Sequence, residues 1–134
     1  MESNITILIP TSPIKSHPST HIIDKCIESV RNYLPSSNII IMADGVRPEQ
    51  EDYTERYQEY LSRLQKKYPE IRFYIAGEHR HQAGMTKDTL PLVATPLIFF
   101  IEHDWEMIGE IPMLELAEII LSDKVNLIRF CLDE

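Results

Sequence analysis

Positive charge is scarce in this chain: 13 Lys and Arg stand against 21 Asp and Glu, a formal net charge of −8. Neutralising a phosphate backbone needs clustered cations, so a general nucleic-acid-binding role is excluded. Cysteine is nearly absent too. Cys26 and Cys131 are the two present, one in a predicted helix and one in a predicted strand, without metal-ligand spacing. Both read as reduced core residues, not as a disulfide or zinc framework. No apolar run approaches the roughly 20 residues of a membrane span, and the start Met1-Glu2-Ser3-Asn4 is polar and acidic. The expectation is a soluble cytoplasmic protein. With four glycines there is no Gly-rich phosphate loop: Gly84 lacks the P-loop spacing and its Lys-Ser/Thr ending, and Gly-x-Gly-x-x-Gly does not follow the first strand. The serines lie outside any Gly-x-Ser-x-Gly elbow. P-loop ATPases, dinucleotide-dependent dehydrogenases and serine hydrolases of the elbow type are thereby unsupported.

The apolar content that is present alternates in type along the chain. A length of 134 residues at 43% hydrophobic composition allows one core, so residues 1–134 read as a single domain. Ile5 to Ile9 forms a short apolar strand closed by Pro10-Thr11-Ser12-Pro13. After a cap at Ser19 or Thr20, apolar residues Ile22, Ile23, Cys26, Ile27, Val30 and Leu34 recur at helical spacing and stop before Pro35. Asn38 to Ala43 is a second buried strand ending in Asp44-Gly45. A long helix runs from Pro48 to about Tyr68, with Tyr53, Tyr57, Tyr60, Leu61, Leu64 and Tyr68 on one stripe. Ile71 to Ala76 is a third strand. Gly77 to Lys87 is polar, holds two histidines and reads as a site loop; Asp88 to Thr95 is helical in part, with Pro91 tolerated only in a first turn. Pro96 to Ile101 is a fourth strand, Pro112 opens a helix through Leu121, and Val125 to Leu132 is a last strand. Strictly alternating strands and helices predict an α/β fold: a mainly parallel sheet, right-handed crossovers and helices on both faces.

The strongest single feature is the stretch Leu97-Ile98-Phe99-Phe100-Ile101-Glu102-His103-Asp104-Trp105-Glu106, an apolar run ending in alternate acids. A continuous apolar run suits a central strand covered on both faces, and ligands gather at the carboxyl ends of such strands. If the backbone stayed extended, Glu102, Asp104 and Glu106 would point to one side and could share a hard cation. A solvated strand end is the plainer alternative. Thr11 and Ser12 after the first strand offer hydroxyl and backbone groups to a base, and Asp44 after the second can accept from a base imide or ribose hydroxyls, or simply form a turn with Gly45. His79, Arg80 and His81 with Lys87 could meet a negatively charged leaving group, or form a hydrated loop. His103 points away from its neighbours and is expected to be structural. Trp105 is expected to pack or to offer a platform to a sugar ring.

With these pieces in this order, nearly the whole chain resembles the nucleotide-sugar-binding half of the GT-A glycosyltransferases, especially the inverting family 2 type. Ile9-Pro10-Thr11 matches the Pro-Thr turn after the first strand, and Met42-Ala43-Asp44-Gly45 matches the Asp-Gly turn after the second. Gly84 to Asp88 stands for the polar segment before a helix, and Glu102-His103-Asp104 stands for the Asp-x-Asp metal motif. The resemblance implies a Rossmann-like fold of the GT-A type, truncated relative to the family. It implies that Thr11 and Asp44 contact the nucleoside, that Glu102 contacts the ribose or a metal, and that Asp104 holds a divalent Mn²⁺ or Mg²⁺ bridging the diphosphate. Ser12 and Lys87 complete the expected nucleotide-sugar-binding set. The implied activity is transfer of a sugar from a UDP- or GDP-linked donor to an acceptor hydroxyl. Two departures stand out: Glu replaces the first Asp of the metal motif, and Val46 follows the Asp-Gly turn where the family has Ser or Thr. The family's acceptor half and catalytic base normally follow the metal strand; Glu106 is a candidate base by position alone. A non-catalytic nucleotide-binding module and a protein-interaction module, with the tyrosine-rich helix as partner surface, are the competing readings. A bare sheet edge would also suit a homodimer.

Overall fold

The computed structural model describes residues 2–130. Four parallel strands form one sheet: β1 (Ile5–Thr11), β2 (Asn38–Ala43), β3 (Arg72–Ile75) and β4 (Leu97–Phe100), in the order β3-β2-β1-β4. The register sets Ile7, Leu8 and Ile9 opposite Ile39, Ile40 and Ile41 on one side of β1, and Ile7 and Leu8 opposite Phe99 and Phe100 on the other. β3 adds to β2 with Ile41 beside Phe73 and Met42 beside Tyr74.

Side chains alternate across the sheet and divide the interior in two. Ile5, Ile7, Ile9, Ile39, Ile41 and Leu97 face one side, where α1 (His21–Tyr33), α2 (Thr54–Lys67) and α4 (Met113–Leu121) cover them. Leu8, Ile40 and Met42 face the other and pack on Met85 of α3 (His81–Thr89). The expected helices on both faces are therefore present. The helical stripe of α1 buries Ile23, Cys26, Ile27 and Val30, and α2 buries Tyr57, Tyr60, Leu61 and Leu64. Asp24 links the two helices, accepting from Thr20, from the Lys67 ammonium and from the Tyr68 hydroxyl. No helix among the described residues is long and apolar enough to cross a membrane.

Several local expectations change. The helix expected from Pro48 is a 3-10 segment, Pro48–Tyr53, followed by α2, because Gln50 leaves helical geometry at φ −111°. Tyr57 and Tyr60 are 3% and 1% exposed, so they form core and not a partner surface. The second half of the polar segment is not loop: His81–Thr89 is helical. Pro91 sits in the first turn of a separate 3-10 helix, Leu90–Leu92, where its missing N–H costs nothing. β4 is not central. Among the described residues it is an edge strand whose Ile98 and Phe100 are 41% and 42% exposed, and β1 holds the middle. An apolar run reports β-propensity without saying how many faces are covered. Residues 125–130 form no strand, and Cys131 and Leu132 lie outside the described residues.

Candidate functional site

The strand order locates the site. The chain steps from β1 to β2 to β3 in one direction, then returns to place β4 on the other flank of β1. At the carboxyl ends of the strands, where open parallel sheets bind their ligands, a crevice opens. A cleft of about 360 Å³ occupies that place. Pro10, Thr11, Ser12 and Pro13 line it from β1; Asp44, Gly45, Arg47 and Gln50 line it from β2. His79, His81, Gln82 and Met85 contribute from the start of α3, and Glu102, His103 and Asp104 from the end of β4.

Glu102 and Asp104 do reach one cleft, but not by strand alternation. The backbone leaves the strand after Phe100 and turns, the Trp105 N–H donating to the Glu102 carbonyl at 3.1 Å. Three further contacts hold this turn. The Cys26 thiol approaches the Glu102 carbonyl at 3.4 Å, Gln82 donates to Glu102 Oε1 at 3.1 Å, and His103 Nδ1 lies 2.9 Å from the Thr11 hydroxyl. The Ser29 hydroxyl accepts the Met107 N–H just beyond. Burial, with Asp104 and Glu106 nearby, pushes the Cys26 thiol up to about 12, so it stays an unreactive thiol. Burial lowers His103, against the opposing pull of Asp104 and Glu102.

Thr11 is 2% exposed and its hydroxyl is shared between Tyr60, at 2.7 Å, and His103. Tyr57 donates to the Asp44 carbonyl at 2.8 Å, so α2 braces the ends of both β1 and β2. Asp44 is 3% exposed. Its Oδ1 accepts from the N–H groups of Gly45 and Arg80 and its Oδ2 from that of His81, at 2.6 to 3.1 Å. The carboxylate thus ties the start of α3 to the end of β2, satisfying amides that a helix N-terminus leaves open. Gly45 is required there: a Cβ would press on the backbone of Glu78 and lie 2.6 Å from the His79 nitrogen.

The cation cluster comes apart. Arg80 is held by both oxygens of Asp88 at 2.9 and 3.0 Å, with Tyr74 donating to the same carboxylate. Lys87 lies on the exposed side of α3 and does not line the cleft, being about 9 Å farther along the helix than His81. Glu106 and Trp105 are exposed and outside the lining as well. What remains is His79 and His81, joined at 3.0 Å from Nε2 to Nδ1, together with Arg47. Sequence reasoning missed Arg47, Gln50 and Gln82. Their signal was position: Arg47 and Gln50 follow the Asp-Gly turn, and Gln82 lies in the first turn of α3, both at the sheet's carboxyl edge.

Among the described residues no group of three or more His, Cys, Asp or Glu side chains is arranged to hold a metal. A closed protein cage is thus absent there. The donor set at hand is two carboxylates on one turn, which suits a hard cation completed by ligand phosphates and water.

The sequence matches no protein-family model and no curated protein. The fold does have solved counterparts. The crystal structure of S. aureus TarS superposes at a TM-score of 0.54 and 12% identity, over 89% of this chain and 20% of that one. The crystal structure of S. aureus TarS 1-349 gives 0.52 and 11%, over 90% and 32%. This chain therefore spans between a fifth and a third of those proteins. The likeness is one of fold alone: an α/β, Rossmann-like arrangement with an all-parallel four-stranded sheet among the described residues.

Proposed function

We propose that the cleft binds a nucleoside-diphosphate sugar and that the chain serves glycosyl transfer from that donor to an acceptor hydroxyl, as a GT-A-type nucleotide-sugar half. The observation that carries this reading is the cleft itself, which collects Thr11, Ser12, Asp44, Glu102 and Asp104 at the reversal of strand order. The glycosyltransferase-like fold supports it. Thr11 and Asp44 are spent largely on holding the cleft's shape, while Ser12, Arg47 and Gln50 are the polar groups facing the nucleoside. Glu102 and Asp104 would hold a divalent Mn²⁺ or Mg²⁺, which when bound neutralises the diphosphate of the leaving group. The chain's own contribution is positioning. His103, Cys26 and Gln82 fix the turn that presents the two carboxylates, and the Asp44 clamp fixes the opposite wall.

The test is calorimetric titration of UDP, GDP and their sugar conjugates, with and without Mn²⁺, on the parent and on Asp104→Ala. Asp104 is exposed, so the variant should fold. Metal-dependent binding of one nucleoside family, lost in the variant, is the expected result. A folded parent that binds no nucleotide at all would overturn the reading.

A further inference from the structure

His79 and His81 are not an ordinary exposed pair. His79 Nδ1 is sealed from solvent 2.9 Å from Asp44 Oδ2, without the alignment of a full hydrogen bond. A bare nitrogen there would set lone pair against lone pair, so Nδ1 must carry the proton. Neutral His79 then has a bare Nε2, and that atom lies 3.0 Å from His81 Nδ1. His81 must supply the proton between them, which leaves its own Nε2 bare as the ring nitrogen available to the cleft it lines. The two rings meet edge to face at 4.0 Å. His81 holds this position with φ 61°, a left-handed conformation unusual for a residue with a side chain, its N–H bound to the same Asp44 oxygen.

We propose that His81 is the group that contacts a phosphate oxygen of the cleft's ligand, taking up one solvent proton on Nε2 as that ligand binds; this rests on the donor-site reading above. The protonated ring donates from Nε2 to phosphate and from Nδ1 to His79, and the positive charge leans through His79 on Asp44. Other charges face it. Asp44 and Arg47 stand on the β2 side, and Glu102, His103 and Asp104 on the β4 side. On its own segment Arg80 is neutralised by Asp88 and Glu78 is exposed. Neither of the neighbouring walls supplies another acid–base group so directly wired to a buried carboxylate.

Two measurements test the proposal. Nitrogen-detected NMR of the free protein should show neutral His81 as the Nδ1–H tautomer; an Nε2–H tautomer would overturn the relay. Titration of UDP, GDP and inorganic pyrophosphate in buffers of different ionisation heat, at a pH where NMR shows free His81 neutral, should then show proton uptake on binding. Affinity should weaken as pH rises from that point. His81→Gln should abolish the uptake and flatten that profile, and His79→Gln should change the His81 tautomer. Binding without proton uptake, or uptake unchanged in His81→Gln, overturns the role of His81 and leaves the donor reading standing. No binding of any probe by a protein showing the expected tautomer overturns the donor reading and with it this ligand for His81.

Discussion

His17 shows how a single side chain can set a property of the protein. It is 4% exposed and stacks on Tyr60 at 3.7 Å between ring centroids. Burial, then the neighbouring His103, pulls it from 6.5 down to about 4. A lowered histidine means that the unfolded chain binds more protons between these values. Stability is therefore complete above about 6.5 and is lost as pH falls toward 4, by about 3 kcal/mol from this group. Denaturant melts of the parent and His17→Phe between these pH values should show a shallower acid dependence in the variant, which keeps the ring stack. Gly45 is the second such residue. Gly45→Ala should cost about 3 kcal/mol by forcing apart two backbones, seen as a lower urea midpoint at unchanged slope.

At the scale of elements, the start of α3 depends on β2. The hydrophobic pattern of His81–Thr89 is weak and it buries only Met85 and Thr89, so the amphipathic drive that forms α1 and α2 is lacking. Two N–H groups at its start, those of Arg80 and His81, end on one carboxylate and compensate. Asp44→Asn turns an acceptor into a donor facing amides and should cost about 2 kcal/mol of stability. Chemical-shift changes should concentrate in residues 78–85, with the α1 signals unmoved. This dependence also explains why the segment read as loop from the sequence. Its helix is stabilised from outside by an acid 36 residues earlier than Arg80, which no local pattern reveals.

At the scale of the molecule, order is concentrated around β1. Ile7, Leu8 and Ile9 are fully buried with a strand on each flank, whereas α4 buries only Ala117 and exposes Leu114 and Leu121 by more than half. Amide exchange followed by mass spectrometry should find β1 and β2 protected up to the global unfolding energy and α4 exchanging by local opening. Equal protection in both would contradict this gradient. The same gradient places the cleft well: its β1 and β2 walls stand on the most protected strands, while the Glu102–Asp104 turn and the start of α3 rely on side-chain contacts for their position.

Four parallel strands, three helical stripes and the acids at the strand ends followed from the sequence alone, because burial periodicity and turn chemistry are local. Local too was the position of Asp44 and Glu102 just past apolar runs. The tertiary structure decided what those residues do there. It turned the Glu102–Asp104 carboxylates into one cleft by a bend instead of an extended strand, and it spent Asp44 on the amides of α3. It paired Arg80 with Asp88, left Lys87 outside, and brought Arg47, Gln50 and Gln82 in. It also put β4 at an edge. Each of these outcomes depends on partners far apart in the chain, where hydrogen bonds and charges compete for the same atoms, and a sequence pattern records the groups available without recording which of them meet.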